Sequence, residues 1–369
     1  MVIIDHSLVI TQEFDGESCT MPDASTEVPE ERRDAAAGSL QESDLALIEA
    51  LQRSPRAPWS QIGPALGVDA TSAARRWHRL VAQGLAWLTA YPSASTTSFA
   101  YVDVRCRPNT VDDVTRHLCA LPQVLSVEEV TGDFDLFMTV AAPTPAALAA
   151  LVRRDLPTAP GVEATAVHLG LRLYQEGSGW RMRALDRQQR SLLAPRQQPP
   201  RRSPKAATAD AALIAALGRD GRRSHQELAR DLGVSEATVR RRVQRLMETR
   251  SVHFRCDFAQ SAAGWPLAAT YRIDLPAHQL TAAARTLGLM PEVRLCSAVS
   301  GTANFLVIAW LRTTEDVTGF EAHMCEQLPD LRVRDRTVTL VTAKRMGRLL
   351  DPHGRAVGHV PWDDPSTTP

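Results

Sequence analysis

Residues 44–80 return without a gap at residues 210–246, and this repeat constrains the fold of the 369-residue chain more than any other feature. DLALIEALQRSPRAPWSQIGPALGVDATSAARRWHRL and DAALIAALGRDGRRSHQELARDLGVSEATVRRRVQRL agree at 15 of 37 positions, Leu-Gly-Val (66–68; 232–234) among them. The likeness resumes further on, where Val127–Val152 has the same rhythm as Cys296–Glu321: strand, glycine turn, strand, helix. The simplest account is one unit of about 150 residues written twice.

Each unit changes period partway. Leu213, Ile214 and Leu217 sit at helical spacing, as do Leu228 and Leu232 in the next segment. Gly233 breaks that second helix, where a left-handed residue is usually needed. Ser235 then caps a third helix, a role that Asp69 fills in the first copy. Helix, glycine turn and capped helix predict a helix-turn-helix in each copy. The remainder of each unit reads βαββαβ. In copy one the elements are FAYVDVRC, VDDVTRHLCAL, VLSVEEV, FDLFMTV, PAALAALVRRDL and VEATAVHLGL. In copy two they are LAATYRIDL, QLTAAARTLGL, VRLCSAV, NFLVIAWL, DVTGFEAHMCEQL and LRVRDRTVTLVTA. The expected class is therefore α+β: two winged helix-turn-helix heads, each followed by a ferredoxin-like αβ sandwich. Apolar residues on the sheet face away from the helices, read as Val102 and Val104 and as Val338 and Leu340, should pack on the sheet of the other half.

Boundaries follow at 39–92 and 97–180 for the first head and sandwich, and 208–262 and 265–346 for the second. Residues 1–38 hold nine acidic and two basic residues and read as an acidic, disordered arm. Residues 181–207 read as a Pro-rich basic linker, and 347–369 as a loosely packed tail. The chain carries 42 basic and 42 acidic residues, so net charge announces no polyanion partner. Only Lys205 and Lys344 are lysines; so uniform a preference for arginine reflects genome composition at least as plausibly as function, which discounts arginine abundance as a signal. Six scattered cysteines without a C-x-x-C pair fit reduced thiols better than a zinc module. No apolar run reaches the ~18 residues of a bilayer span, and MVIIDHSLVI lacks a basic n-region, which predicts a cytoplasmic protein with no membrane partner.

SEATVRRRVQRL, Ser235 to Leu246, is the stretch that most suggests a partner. A bare arginine run is usually a solvated face. Here Val239, Val243 and Leu246 form an apolar stripe at about 100° per residue, so the arginines project from a capped second helix. Residues 208–255 hold ten basic and six acidic residues, a local excess that survives the compositional discount. Thr238 and Arg241 are the candidates for base edges; Arg240, Arg242 and Arg245 are those for phosphates, with double-stranded DNA as the partner. Copy one keeps Arg75, Arg76 and Arg79 but has Ala74 in place of Arg240, Trp77 in place of Val243, and Pro64 inside the preceding helix.

These motifs, together with VLSVEEVTGDFDLFMTV, resemble the Lrp/AsnC family of transcription regulators over residues 40–180 and 208–346. Ordinary members carry one such copy, so this chain looks like a tandem version. The resemblance implies that the two halves form an internal pseudo-dimer, that such units assemble into homo-oligomers, and that a small effector, usually an amino acid, binds near the glycine turn of the sandwich. Those turns hold Gly132, Asp133 and Asp135 in copy one, and Gly301, Thr302 and Asn304 in copy two, which has lost both acids. Copy one would then serve sensing and copy two DNA. An aspartate that only shapes the hairpin is the plain alternative. Some tandem proteins of this architecture resemble siroheme decarboxylases instead, which would need histidines and arginines around a tetrapyrrole. The ten histidines here are scattered, and His168 and His253 read as partly buried structural residues. No Ser-His-Asp order, P-loop or metal spacing stands out, so no enzyme and no cofactor are expected. A partner-binding module that has lost DNA contact is a third reading.

Overall fold

The computed structural model describes residues 39–94, 97–193 and 210–362. The acidic arm at 1–38 and most of the basic linker, 194–207, lie outside the described residues.

The first half runs α1 (Glu42–Arg53), α2 (Trp59–Ala65), α3 (Ala70–Ala82), β1 (Ala86–Pro92), β2 (Ser98–Cys106), α4 (Val111–Ala120), β3 (Val124–Val130), β4 (Leu136–Ala142), α5 (Pro145–Ala150), β5 (Val162–Gln175) and α6 (Arg187–Leu192). The second runs α7 (Ala211–Arg219), α8 (His225–Leu232), α9 (Glu236–Glu248), β6 (Val252–Phe258), β7 (Leu267–Asp274), α10 (Leu280–Leu287), β8 (Val293–Val299), β9 (Phe305–Leu311), α11 (Glu315–Gln327), β10 (Arg332–Arg345), β11 (Arg348–Leu350) and β12 (Ala356–His359). The expected order is present in both copies.

The helix-turn-helix forms for the reasons legible in its sequence. Gly67 and Gly233 turn the chain at φ +71° and +62°, which a side chain would resist. Asp69 accepts from the Ser72 amide at 2.8 Å, and Ser235 from the Thr238 amide at 3.2 Å. Each cap stabilises its helix by about 1 kcal/mol. Val239, Val243 and Leu246 are buried against Leu213, Ile214 and Leu217, as the apolar stripe predicted.

The two halves are joined by a pseudo-twofold axis. β1 and β6 pair antiparallel as a ribbon between the heads, in a register that sets Thr89 opposite Arg255. These two occupy the same position in their copies, since β1 begins at Ala86 and β6 at Val252. Below the ribbon, the strands of both sandwiches share one sheet, ordered β12-β11-β10-β3-β4-β2-β5-β8-β9-β7, and a further β10–β7 pairing closes eight of them into a ring. The closure rests on β5 and β10, 14 residues each. β5 pairs with β2 of its own copy and then, from Gly170, with β8 of the other. β10 does the same with β7 and β3. The helices cover the outside of the ring, with separate cores behind β2–β4 and behind β7–β9.

Three expectations need correction. Val102 and Val104 face the helices, packing with Val114 and Leu118. Val338 joins the core of copy two, and Leu340 is exposed. The face between the sheets is carried instead by Tyr101, Phe137, Val299 and Leu306. Alternation separates two faces of a strand but does not say which is which when both are apolar. Residues 181–193 are not linker: Leu185 and Leu193 are buried in the core of the first head, and α6 carries a capping box from Asp186. Residues 347–362 are not a loose tail either. β11 and β12 extend the sheet, and the Ala356 amide donates to the Gly84 carbonyl at 2.8 Å, tying the C-terminal hairpin to the first head.

Candidate nucleic-acid interface and effector sites

On α9 the arginines divide differently from the sequence reading. Arg241 is exposed, and Arg242 is half-buried. Arg240 is exposed but pairs with Glu236 at 2.8 Å one turn earlier, so a phosphate would have to displace that carboxylate. Arg245, read as a phosphate clamp, pairs with Asp210, which is fully buried at the start of α7. Arg79 makes the equivalent pair with Asp44 at 2.6 Å. Both arginines therefore hold the third helix onto the first, at the same position of each copy. Arg75 is exposed and Arg76 half-buried on α3. Ser235 is committed to capping, and its hydroxyl lies 2.9 Å from that of Thr238, at the exposed N-terminal end of α9.

A reciprocal clasp that sequence reasoning missed fixes the two heads together. Arg56 donates to the Gly221 and Arg223 carbonyls at 2.5 and 3.0 Å. Arg222, at the equivalent position of copy two, donates to the Pro55 and Ala57 carbonyls at 2.7 and 2.9 Å. Arg222 also stacks on Trp59, and burial with Arg56 nearby pushes its guanidinium down to about 10. The signal was available: arginine is one of the residues identical in both copies at this position.

Grooves on either side of the clasp differ. In one, His225, Arg240, Gln244 and Met247 of the second head face the Pro55–Ala57 turn. In its counterpart, His78 and Val81 of the first head face Arg219–Arg223, and β12 adds a wall with Val357 and His359. His359 is held down at about 4 by burial first and by Arg348, Arg219 and Lys344 next. A histidine kept neutral in the fold contributes stability that is complete above its free value near 6.5 and falls away as pH drops toward 4. Amides of residues 348–360 should therefore exchange faster at pH 5 than at pH 7 after correction for intrinsic rate, and His359→Gln should flatten that dependence.

At the other end of the sheet ring, both glycine turns are well formed. Gly132 and Gly301 have φ +107° and +122°. Asp135 accepts from the Cys106 amide at 2.7 Å. Asn304 bonds both backbone groups of Leu275, at 3.1 and 2.7 Å. These two side chains therefore pin the hairpin to the neighbouring strand. Asp133 and Thr302 are exposed. Each turn also meets the far strand of the other half: the Thr131 amide donates to Val338 and the Ser300 amide to Leu169, both at 2.9 Å. His168 lies between the Ser300 carbonyl at 3.3 Å and Asp103 at 3.1 Å, and Asp103 also pairs with Arg272. His253 bonds the Ser93 hydroxyl at 3.0 Å and stacks on Tyr91.

Two DNA-binding-type heads on a closed pair of αβ sandwiches define a tandem helix-turn-helix protein with ligand-binding-type domains. The AsnC-type helix-turn-helix domain is matched at residues 40–81 and again at 209–247, and the Lrp/AsnC ligand binding domain at 99–180. The chain thus carries an Lrp/AsnC ligand binding domain and two copies of the AsnC-type helix-turn-helix domain. A helix-turn-helix transcriptional regulator of Pyrococcus abyssi is 26% identical over 139 residues, 37% of this chain and 87% of that protein. The regulator LysM of Saccharolobus solfataricus is 28% identical over 104 residues, 28% of this chain and 73% of that protein. Among solved structures, the siroheme decarboxylase NirDL superposes with a TM-score of 0.54 at 13% identity, over 83% of this chain and 93% of that one, a likeness of fold. Among the described residues, no helix is long and apolar enough to cross a membrane.

Proposed function

We propose that this protein is a transcription regulator that binds double-stranded DNA through its helix-turn-helix heads, with α9 as the principal reading helix, and answers to a small effector held by the sandwich domains. The observation that carries the reading is the outer face of α9. A capped helix after a left-handed glycine presents Arg241, Arg240 and Thr238 outward from a buried Val239–Val243–Leu246 stripe. The clasp holds both heads in one fixed relation, as reading two half-sites requires.

A catalytic reading drawn from the NirDL fold has less support. The space between the two sheets is about 120 Å³ and no histidine lines it. Sites for drug-sized ligands run to about 300–1,000 Å³, so this space is small for a tetrapyrrole. The test is fluorescence anisotropy of labelled DNA from upstream of the coding sequence, titrated at several salt concentrations. Binding should weaken as salt rises, with a slope reporting the phosphates contacted. Absence of binding at low salt, or binding indifferent to salt, overturns the regulator reading; an absorbance band on adding siroheme would favour the enzyme.

A further inference from the structure

The space between the sheets lies beneath the β1–β6 ribbon and holds charges that the DNA reading does not use. Tyr101, Phe137, Leu295 and Ile308 give it an apolar lining, and Arg255, Arg294 and Arg345 reach it from three different strands. The Arg294 guanidinium stacks 3.7 Å above Trp310 and 4.5 Å from Trp180, and that of Arg345 lies 5.0 Å from Trp310. Each of these two arginines satisfies one nitrogen on the protein. Arg294 Nη2 donates to Asp257 at 3.0 Å, and Arg345 Nη2 to Gln260 at 2.8 Å. Nη1 of each is buried without a hydrogen-bond partner. A buried donor left unmet costs about 1–3 kcal/mol, more when charged.

The acids at the same site are already served. Glu128 accepts from the Thr339 hydroxyl at 3.0 Å. Glu176 accepts from the Tyr91 hydroxyl at 3.0 Å and from that of Ser178. We infer that the cavity binds one small organic monocarboxylate, its carboxylate met by the guanidinium cluster of Arg255, Arg294 and Arg345 and its aliphatic body lying against Trp310, Phe137 and Ile308. An apolar cavity of about 150 Å³ takes up benzene, so the space suits a body of roughly four to six heavy atoms.

The pseudo-twofold axis makes the site one-sided. Counterparts in the two sandwiches are related as Val124–Val130 is to Val293–Val299. On that correspondence Arg294 replaces Leu125, Arg345 replaces Glu176, and Trp310 replaces Ala141. Two identical subunits could not build this arrangement, and it gives one ligand per chain in one orientation. Tyr91 of β1 and Arg255 of β6 line the same space, so the ligand touches the ribbon that joins both heads. That regulatory consequence rests on the heads binding DNA; the binding site itself does not.

The experiment is calorimetric titration of the full chain with isovalerate, its neutral isostere isovaleramide, and L-valine, the same skeleton with an ammonium. Isovalerate should bind once per chain, at least tenfold more tightly than the other two. Arg345→Met, which removes one donor without leaving a cavity, should weaken it at least tenfold, and Ala141→Leu, which fills the space, should abolish it. Circular dichroism verifies that both variants are folded. Equal binding of the amide, tighter binding of valine, no binding of isovalerate, or undiminished binding by Ala141→Leu each overturns the site. Saturable isovalerate binding that leaves DNA affinity unchanged overturns the link to the heads alone.

Discussion

Asp257→Asn is expected to lower the unfolding free energy by about 3–5 kcal/mol, the range for breaking a buried ion pair by removing one partner. Asp257 has no exposed surface, lies 2.7 Å from Arg255 Nε, and accepts from Arg294 at 3.0 Å. Burial alone would raise its carboxyl, but Arg255, Arg294 and Arg345 together hold it below the ordinary carboxylate value. Asparagine keeps the shape and removes the charge, leaving three buried guanidiniums around a neutral amide. Each keeps its desolvation penalty, and burial already pulls Arg294 well below the usual arginine range. The measurement is the urea midpoint of the full chain, with an unchanged m-value showing that the loss is in stability. Arg116→Ala is the control. It breaks a pair with Asp113 at 2.6 Å, but both side chains are about three-quarters exposed, and such pairs contribute about 0–1 kcal/mol. If the two variants cost the same, Asp257 is not the counter-ion of the cluster.

The repeat made the fold legible because it supplied each signal twice. Gly67 and Gly233, Asp69 and Ser235, and the βαββαβ order all stand where the pattern placed them. What the pattern could not carry was the relation between the copies. The crossing of β5 and β10 depends on strands long enough to leave their own sheet, and length alone does not name the partner. Arg245 projects from its helix as the 100° spacing placed it, yet Asp210, and Asp44 for Arg79, sit 35 residues earlier in sequence and meet these arginines only in the fold. The hairpin at β11 and β12 was hidden by its Pro, Gly and His content, which describes turns but not what they pack on.

Duplication within one chain allows pairings that a symmetric dimer forbids. A residue on a twofold axis must meet its own copy, so a homodimer of the first half would set Asp103 against Asp103 in a buried place. Here Asp103 meets its counterpart Arg272, and Thr89 meets its counterpart Arg255. Like charges so placed would cost several kcal/mol, so these pairs favour the internal union of unlike halves over exchange with a second chain. The same divergence gives the heads different helices to present.

Arg241→Ala should reduce affinity for specific DNA by about 1–3 kcal/mol, roughly five- to 150-fold, and relax preference at one base pair. Arg241 is exposed on the outer face of α9 and its fork suits guanine O6 and N7 together. Arg75, its counterpart on α3, is equally exposed, but Ala74 replaces Arg240 beside it and β12 walls the groove at His78 and Val81. Arg75→Ala should therefore cost under about 1 kcal/mol, the range of an exposed ion pair. Arg245→Ala separates reading from folding: it strips the partner from buried Asp210, so it should lower the melting temperature of the second head. Anisotropy on specific and scrambled duplexes measures the first two variants, and thermal denaturation the third. Equal losses from Arg241→Ala and Arg75→Ala would show two heads reading DNA alike; no loss from Arg241→Ala would remove α9 as the reading helix. An Arg245→Ala protein with unchanged stability and a flatter salt slope would return that arginine to the phosphates.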